Sequence, residues 1–194
     1  SVFKISLFCI GVIMFSCNPS SEKVQGRTKT NINNNWQYLE NNTSSIDKAL
    51  AAESWQNINL PHTWNALDAT DVTPGYRRSA GWYKKELNVP TVAANQIYQL
   101  YFEGVNITSG VYVNGKKVGG HIGGYIGFNV DITGAISKGN NTILVRVDNG
   151  YNPEVIPSQK SDFFIFGGIT RDVWLQTFPE QHLSNLKVST PNVS

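Results

Sequence analysis

Cysteine is almost missing from this chain of 194 residues. Only Cys9 and Cys17 carry a thiol, so neither a disulfide framework nor a cysteine-type zinc site can form downstream of residue 17. Histidine is scarce as well. His62, His121 and His182 stand far apart, at no spacing used by a metal motif or a nucleophile–base pair. No metal ligand, no cofactor site and no catalytic residue is therefore read from the chain. Charge is thin: charged residues make up 15% and the formal net charge is +2. Dispersed Lys and Arg at that level leave no nucleic-acid footprint. Long helices are excluded between Gly104 and Gly127, where eight of the seventeen glycines fall.

What is present begins with an apolar run. Lys4 precedes Ile5 to Phe15, almost all apolar, and Ser16-Cys17 follows. The run is shorter than the roughly 20 residues that span a bilayer and has the form of a secretory signal. A cysteine after a small residue at the end of such a run resembles the lipid-attachment box of bacterial lipoproteins. Residues 1–17 are accordingly expected to be a signal peptide with lipid carried on Cys17, an ordinary signal peptide or a short buried helix being the alternatives. The protein is then exported, periplasmic or anchored at the outer membrane, and meets the membrane only through that lipid. Residues 18–35, with five Asn among Ser, Thr, Lys and Pro, read as a polar linker.

From Trp36 onward short apolar runs alternate with turn residues, the signature of an all-β sandwich. Tyr98 to Glu103, Ile143 to Val147 and Asp172 to Thr177 are strand candidates. Val111-Tyr112-Val113, Asn114-Gly115 and Lys116-Lys117-Val118 predict a hairpin, because Asn-Gly tolerates the two positive-φ positions of a type I′ turn. A short helix is expected over Ser45 to Glu53, capped by Ser44 or Ser45. A hydrophobic fraction of 40%, with five Trp, is enough for the core of one such domain over residues 36–180.

Several pieces, in order, carry a resemblance: Leu60-Pro61-His62-Thr63-Trp64-Asn65, Gly81-Trp82-Tyr83, Val111 to Gly119, His121-Ile122-Gly123-Gly124-Tyr125, Phe128 to Thr133, and Asp162 to Leu175. Together they resemble the amino-terminal sugar-binding domain of family 2 glycoside hydrolases, the β-galactosidase and β-glucuronidase group. The resemblance implies a jelly-roll-like, galactose-binding-domain-like β-sandwich that supports a catalytic barrel. It also implies that residues 181–194, with Leu186-Lys187-Val188-Ser189, open an immunoglobulin-like domain. Retaining hydrolysis uses two carboxyl groups ~5–5.5 Å apart. In the family these stand on a (β/α)₈ barrel of ~250 residues, for which this chain has no room. The chain alone is therefore expected to be inactive, and the parent enzyme to be most like a β-galactosidase.

One residue is assigned to substrate. In the resembled enzymes the aspartate before the aromatic–glycine segment, here Asp162, accepts hydrogen bonds from hydroxyls of the terminal sugar. An ionised carboxylate offers two acceptor oxygens suited to that task. Read without the resemblance, Asp162 equally caps a turn or pairs with Lys160 or Arg171. Phe164 and Phe166 are expected on one face of an extended segment and Phe163 on the other, with at least one pair in the core. Gly167-Gly168 is expected to allow a close backbone approach. His62 and His121 are read as hydrogen-bonded loop histidines, and Asn65 and Asp68 as residues that order their turn. Arg77 and Arg78 stand in a loop that borders a cleft or faces water. Arg171-Asp172 is read as a structural pair. A freestanding carbohydrate-binding module and a surface structural sandwich are the alternatives.

Overall fold

The computed structural model describes residues 26–72, 75–156, 164–184 and 186–190. Twelve strands and one short helix occur among them. A four-stranded antiparallel sheet is ordered β1 (Thr28–Asn31), β12 (Val173–Pro179), β5 (Gln96–Phe102), β9 (Phe128–Asp131). A six-stranded sheet is ordered β3 (Gln56–Ile58), β2 (Trp36–Leu39), β4 (Ala80–Val89), β10 (Gly139–Asp148), β7 (Thr108–Val113), β8 (Lys116–Ile122). A small pair, β6 (Val105–Asn106) with β11 (Gly168–Ile169), lies beside them. The all-β sandwich expected from the sequence is present.

The core follows from alternation. Along β5, Gln96, Tyr98, Leu100 and Phe102 are buried while the residues between them are half-exposed. Along β10 the same rule buries Ile143, Val145 and Val147. These side chains meet Trp36, Tyr83, Leu87, Val111, Val113, Val130 and Val173 in one cluster between the sheets. Each large apolar side chain taken from water there contributes roughly 1.5–3 kcal/mol. On the outer side of the six-stranded sheet, the helix α1 (Ile46–Leu50) sets Ala49 over Leu39, Trp82 and Leu144. Ser45 caps it, its hydroxyl accepting from Lys48 N–H.

The expected hairpin is formed by β7 and β8, with Asn114 and Gly115 both at positive φ. The linker boundary is corrected. Residues 28–31 form β1, paired in register with β12 from Thr28↔Thr177 to Asn31↔Trp174. Ile32 is buried, and Asn33 donates to Asp172 at 2.9 Å and accepts from Val173 N–H at 2.9 Å. The sandwich therefore starts about eight residues before Trp36. Backbone ladder bonds hold β1, although all four of its side chains are exposed. Residues 186–190, in the stretch expected to open a further domain, form no strand. Among the described residues no helix is long and apolar enough to cross a membrane.

Register places the site. Ala80, Asp148, Thr108 and Ile122 are neighbours across four strands, and Phe102 pairs with both Phe128 and Val173. The described segments 60–72, 75–79, 103–107, 123–127, 149–156, 164–167 and 170–172 thus lie at one end of the sandwich.

Candidate functional site at the loop end of the sandwich

Three asparagines from distant parts of the chain meet at that end: Asn65, Asn106 and Asn149, at 0%, 3% and 1% exposure. A buried amide without partners costs heavily, so their bonds carry the local structure. Asn149 accepts from Ser79 N–H at 2.9 Å and donates to the carbonyls of Arg77 and Ile165, each at 3.0 Å. Asn65 accepts from Gly167 N–H at 2.7 Å and donates to Asp68 at 2.7 Å and to the Arg77 carbonyl at 2.9 Å. Asn106 donates to the Phe166 carbonyl at 2.8 Å. Residues 165, 166 and 167 are each held by a different buried amide.

Glycine is required where this segment turns inward. A Cβ on Gly167 would stand 2.1 Å from Trp64 Cζ2, and one on Gly168 would stand 2.4 Å from the His62 carbonyl oxygen. Gly168 also has φ +132°. The close approach expected for Gly167-Gly168 is present. The aromatic expectation is corrected: Ile165, packed on Ile107 and Val155, is the core residue of the segment. Phe164 and Phe166 share the opposite, half-exposed side, with Phe164 edge-on to Tyr76 at 4.9 Å and 6.0 Å from Phe166. Alternation still governs the run, but the buried phase belongs to isoleucine.

Beneath the loop, Trp64 stacks on Tyr38 at 5.9 Å, and the Arg77 guanidinium lies 5.0 Å above the indole. Arg77 donates to Tyr38 Oη at 2.7 Å and to the Ala80 carbonyl, and pairs with Glu40 at 3.1 Å. It is a structural residue, half-buried against the sandwich. Arg78 lies over the Tyr76 ring, 4.8 Å from its centre. His62 Nδ1 meets Tyr83 Oη at 2.8 Å. Burial lowers the His62 pKa and raises that of Tyr83 well above its usual value. Both groups are thus held neutral, and the bond between imidazole and phenol is that expected of a histidine that fixes a loop. His121 differs: it stacks on Phe128 at 4.5 Å, and its buried Nε2 has no hydrogen-bond partner among the described residues.

Asn65 and Asp68 order their turn as expected, Asp68 also accepting from Arg77 N–H at 2.7 Å. The Arg171-Asp172 expectation is replaced by bonds from Asn33 and Asn31 to Asp172. The Arg171 stem instead lies over Gly104. Asn106, which begins an Asn-Ile-Thr pattern, is buried. The sequence-assigned Asp162 and Cys17 lie outside the described residues, as does Phe163. Asn106 and Asn149 were missed by sequence reasoning; the only signal was an Asp-Asn-Gly turn at 148–150. Among the described residues no cluster of His, Cys, Asp and Glu could hold a metal ion.

Exposed apolar side chains gather at the same end. Leu67, Ile122, Tyr125, Ile126, Tyr151 and Ile156 all stand on its loops or strand ends. Exposed apolar concentration of this kind is characteristic of surfaces that meet another body.

The description "Glycosyl hydrolases family 2, sugar binding domain" matches residues 23–179. The chain is 66% identical over 184 residues to a Formosa agariphila protein provisionally named beta-glucuronidase, covering 94% of this chain and 22% of that one. It is 33% identical over 165 residues to a beta-galactosidase of Thermoanaerobacter pseudethanolicus, 83% of this chain and 22% of the other. The Parabacteroides merdae beta-glucuronidase crystal structure superposes with a TM-score of 0.73 at 36% identity, over 79% of this chain and 22% of that one. The chain therefore spans 22% of the length of these relatives. With the fold, the matched residues and these identities in agreement, the chain belongs to glycosyl hydrolase family 2, as its sugar binding domain.

Proposed function

We propose that this chain is the non-catalytic amino-terminal sandwich of a longer, exported family 2 glycoside hydrolase. In that reading it supports a catalytic barrel and lends Asp162 to the pocket for a terminal β-glycoside. The observation that carries it is the trio of buried asparagines fixing residues 165–167, three positions after Asp162, at the end where the apolar loops gather. A ligand-contacting carboxylate must be held in place to orient a sugar ring, and a rigid base to its segment serves that need.

The barrel would supply the paired carboxyl groups of a retaining mechanism. Relatives more than four times as long as the stretch they share with this chain support that division of labour. Their names widen the substrate from the β-galactoside expected at first. Relatives at 66% and 36% identity are named for β-glucuronides, and one at 33% for a β-galactoside. The apolar run before Ser16-Cys17 supports export with lipid on Cys17, and residues 181–194 would lead into an immunoglobulin-like domain.

Asp162→Asn in the complete gene product tests the assignment, with 4-nitrophenyl β-glucuronide and β-galactoside as substrates. A fall in kcat/KM of about 100-fold at an unchanged unfolding midpoint is expected. Unchanged kinetics on both would remove Asp162 from the pocket. A wild-type product inert towards both would remove the glycosidase reading itself.

A further inference from the structure

The outer face of the six-stranded sheet carries a second polar feature, on side chains that make none of the bonds of the loop-end asparagines. Two rows of side chains run across β3, β2 and β4. Register sets Asn57, Gln37 and Lys84 side by side. One step beyond the β2–β3 ladder, Asn59 and Asn35 stand beside Glu86, with Asn35 N–H donating to Asn59 Oδ1 at 2.9 Å. These residues, with Ile58, line an open trough of about 640 Å³.

We propose that this trough binds a short stretch of a glycan chain, a site separate from the pocket assigned to Asp162. It goes beyond the proposed function and does not depend on it. Four of the six row positions are carboxamides, and the other two carry one charge of each sign. A docking face for protein would be apolar at its centre, and a polyanion site would be cationic. A row of carboxamides instead offers fixed pairs of donor and acceptor, which match the hydroxyls of a sugar.

Gln37 Nε2 donates to Asn57 Oδ1 at 3.2 Å, which aligns the two amides. The Gln37 carbonyl and the rest of the Asn57 amino group remain for a ligand. At about 4.8 Å between strands, the row is about 10 Å long, the scale of a disaccharide. Trp55, packed on the Leu39–Ala49 cluster, carries the ammonium of the trough residue Lys84 4.4 Å above its ring. The flexible lysine stem can swing off the indole and leave an aromatic surface for the C–H face of a pyranose.

Affinity electrophoresis in gels containing glucuronoxylan or β-1,4-galactan tests the site, using the 194-residue chain and the complete gene product. Retardation by at least one of these glycans is expected. Gln37→Ala with Asn57→Ala should weaken it at least about fivefold. Asn57→Asp, which keeps the shape and adds a charge, should weaken it as well and serves if the double variant does not fold. Hydrolysis of the aryl glycosides by the complete product should not change, which separates this site from the Asp162 pocket. No retardation of the wild type in either gel, or equal retardation of the folded variants, would overturn the proposal.

Discussion

A single buried amide can be worth more than a visible ion pair. Asn149 is tied to four groups: Ser79 N–H, the Arg77 and Ile165 carbonyls, and Asn65 Oδ1. Replacing it by alanine takes this partner from Ser79 N–H and the Ile165 carbonyl, while the Arg77 carbonyl and Asn65 Oδ1 keep bonds from Asn65 and Gly167. Each such group costs about 1–3 kcal/mol, although relaxation recovers part of it. Asn149→Ala should therefore destabilise the chain by about 3 kcal/mol in urea unfolding. A loss below about 0.5 kcal/mol would mean that water replaces the amide and that the hub is not a fixed base. The Arg146–Asp148 pair on β10, just before Asn149, at 3.3 Å and partly exposed, should matter far less when broken. The asparagine hub was not legible in the sequence. Asn65, Asn106 and Asn149 are far apart along the chain, and asparagine gives no burial signal of its own. Only the fold supplies the carbonyls and N–H groups that make burial of Asn65 and Asn149 tolerable, while Asn106 Oδ1 stays buried with no partner among the described residues.

Elements with strong local chemistry were legible, and those held by long-range pairing were not. The β7–β8 hairpin announces itself through Asn114-Gly115, and β5 and β10 through alternation with period two. Strand β1 gives no such cue, because Thr-Lys-Thr-Asn is polar throughout and its pairing partner lies about 150 residues away. Lys29 on that edge fits the use of lysine to discourage further strand addition. The same contrast predicts how two glycines respond to alanine. Gly115 has φ +79° but open space around a Cβ, so Gly115→Ala meets conformational strain alone, about 1 kcal/mol. Gly168 has φ +132° and a backbone oxygen 2.4 Å from the Cβ position. Gly168→Ala adds overpacking to strain and should cost about 3 kcal/mol or more. Thermal melts of the two variants decide it: equal losses would show that the β6–β11 bridge yields, and that Gly168 only relieves φ.

On the scale of the whole molecule, the two ends of the sandwich are not alike. The end formed by the Asn114-Gly115 turn and the segment 132–138 carries polar closures, such as Asn114 bonding to Asn141 and the Ala135 carbonyl. The opposite end exposes Tyr125, Ile126 and Ile156, with Ile126 at 71% and Ile156 at 88%. These side chains line no part of the sandwich core, so folding gains little from them. Apolar side chains left in water at one end instead favour association. Replacing Tyr125, Ile126 and Ile156 together by Ser, Lys and Lys should thus leave the melting temperature of the 194-residue chain within about 2 °C. The same change should lower its self-association in sedimentation velocity and its binding of a hydrophobic dye. A clear drop in melting temperature would place these residues in the stability of the sandwich itself. It would remove the physical reason to expect a second body against this end.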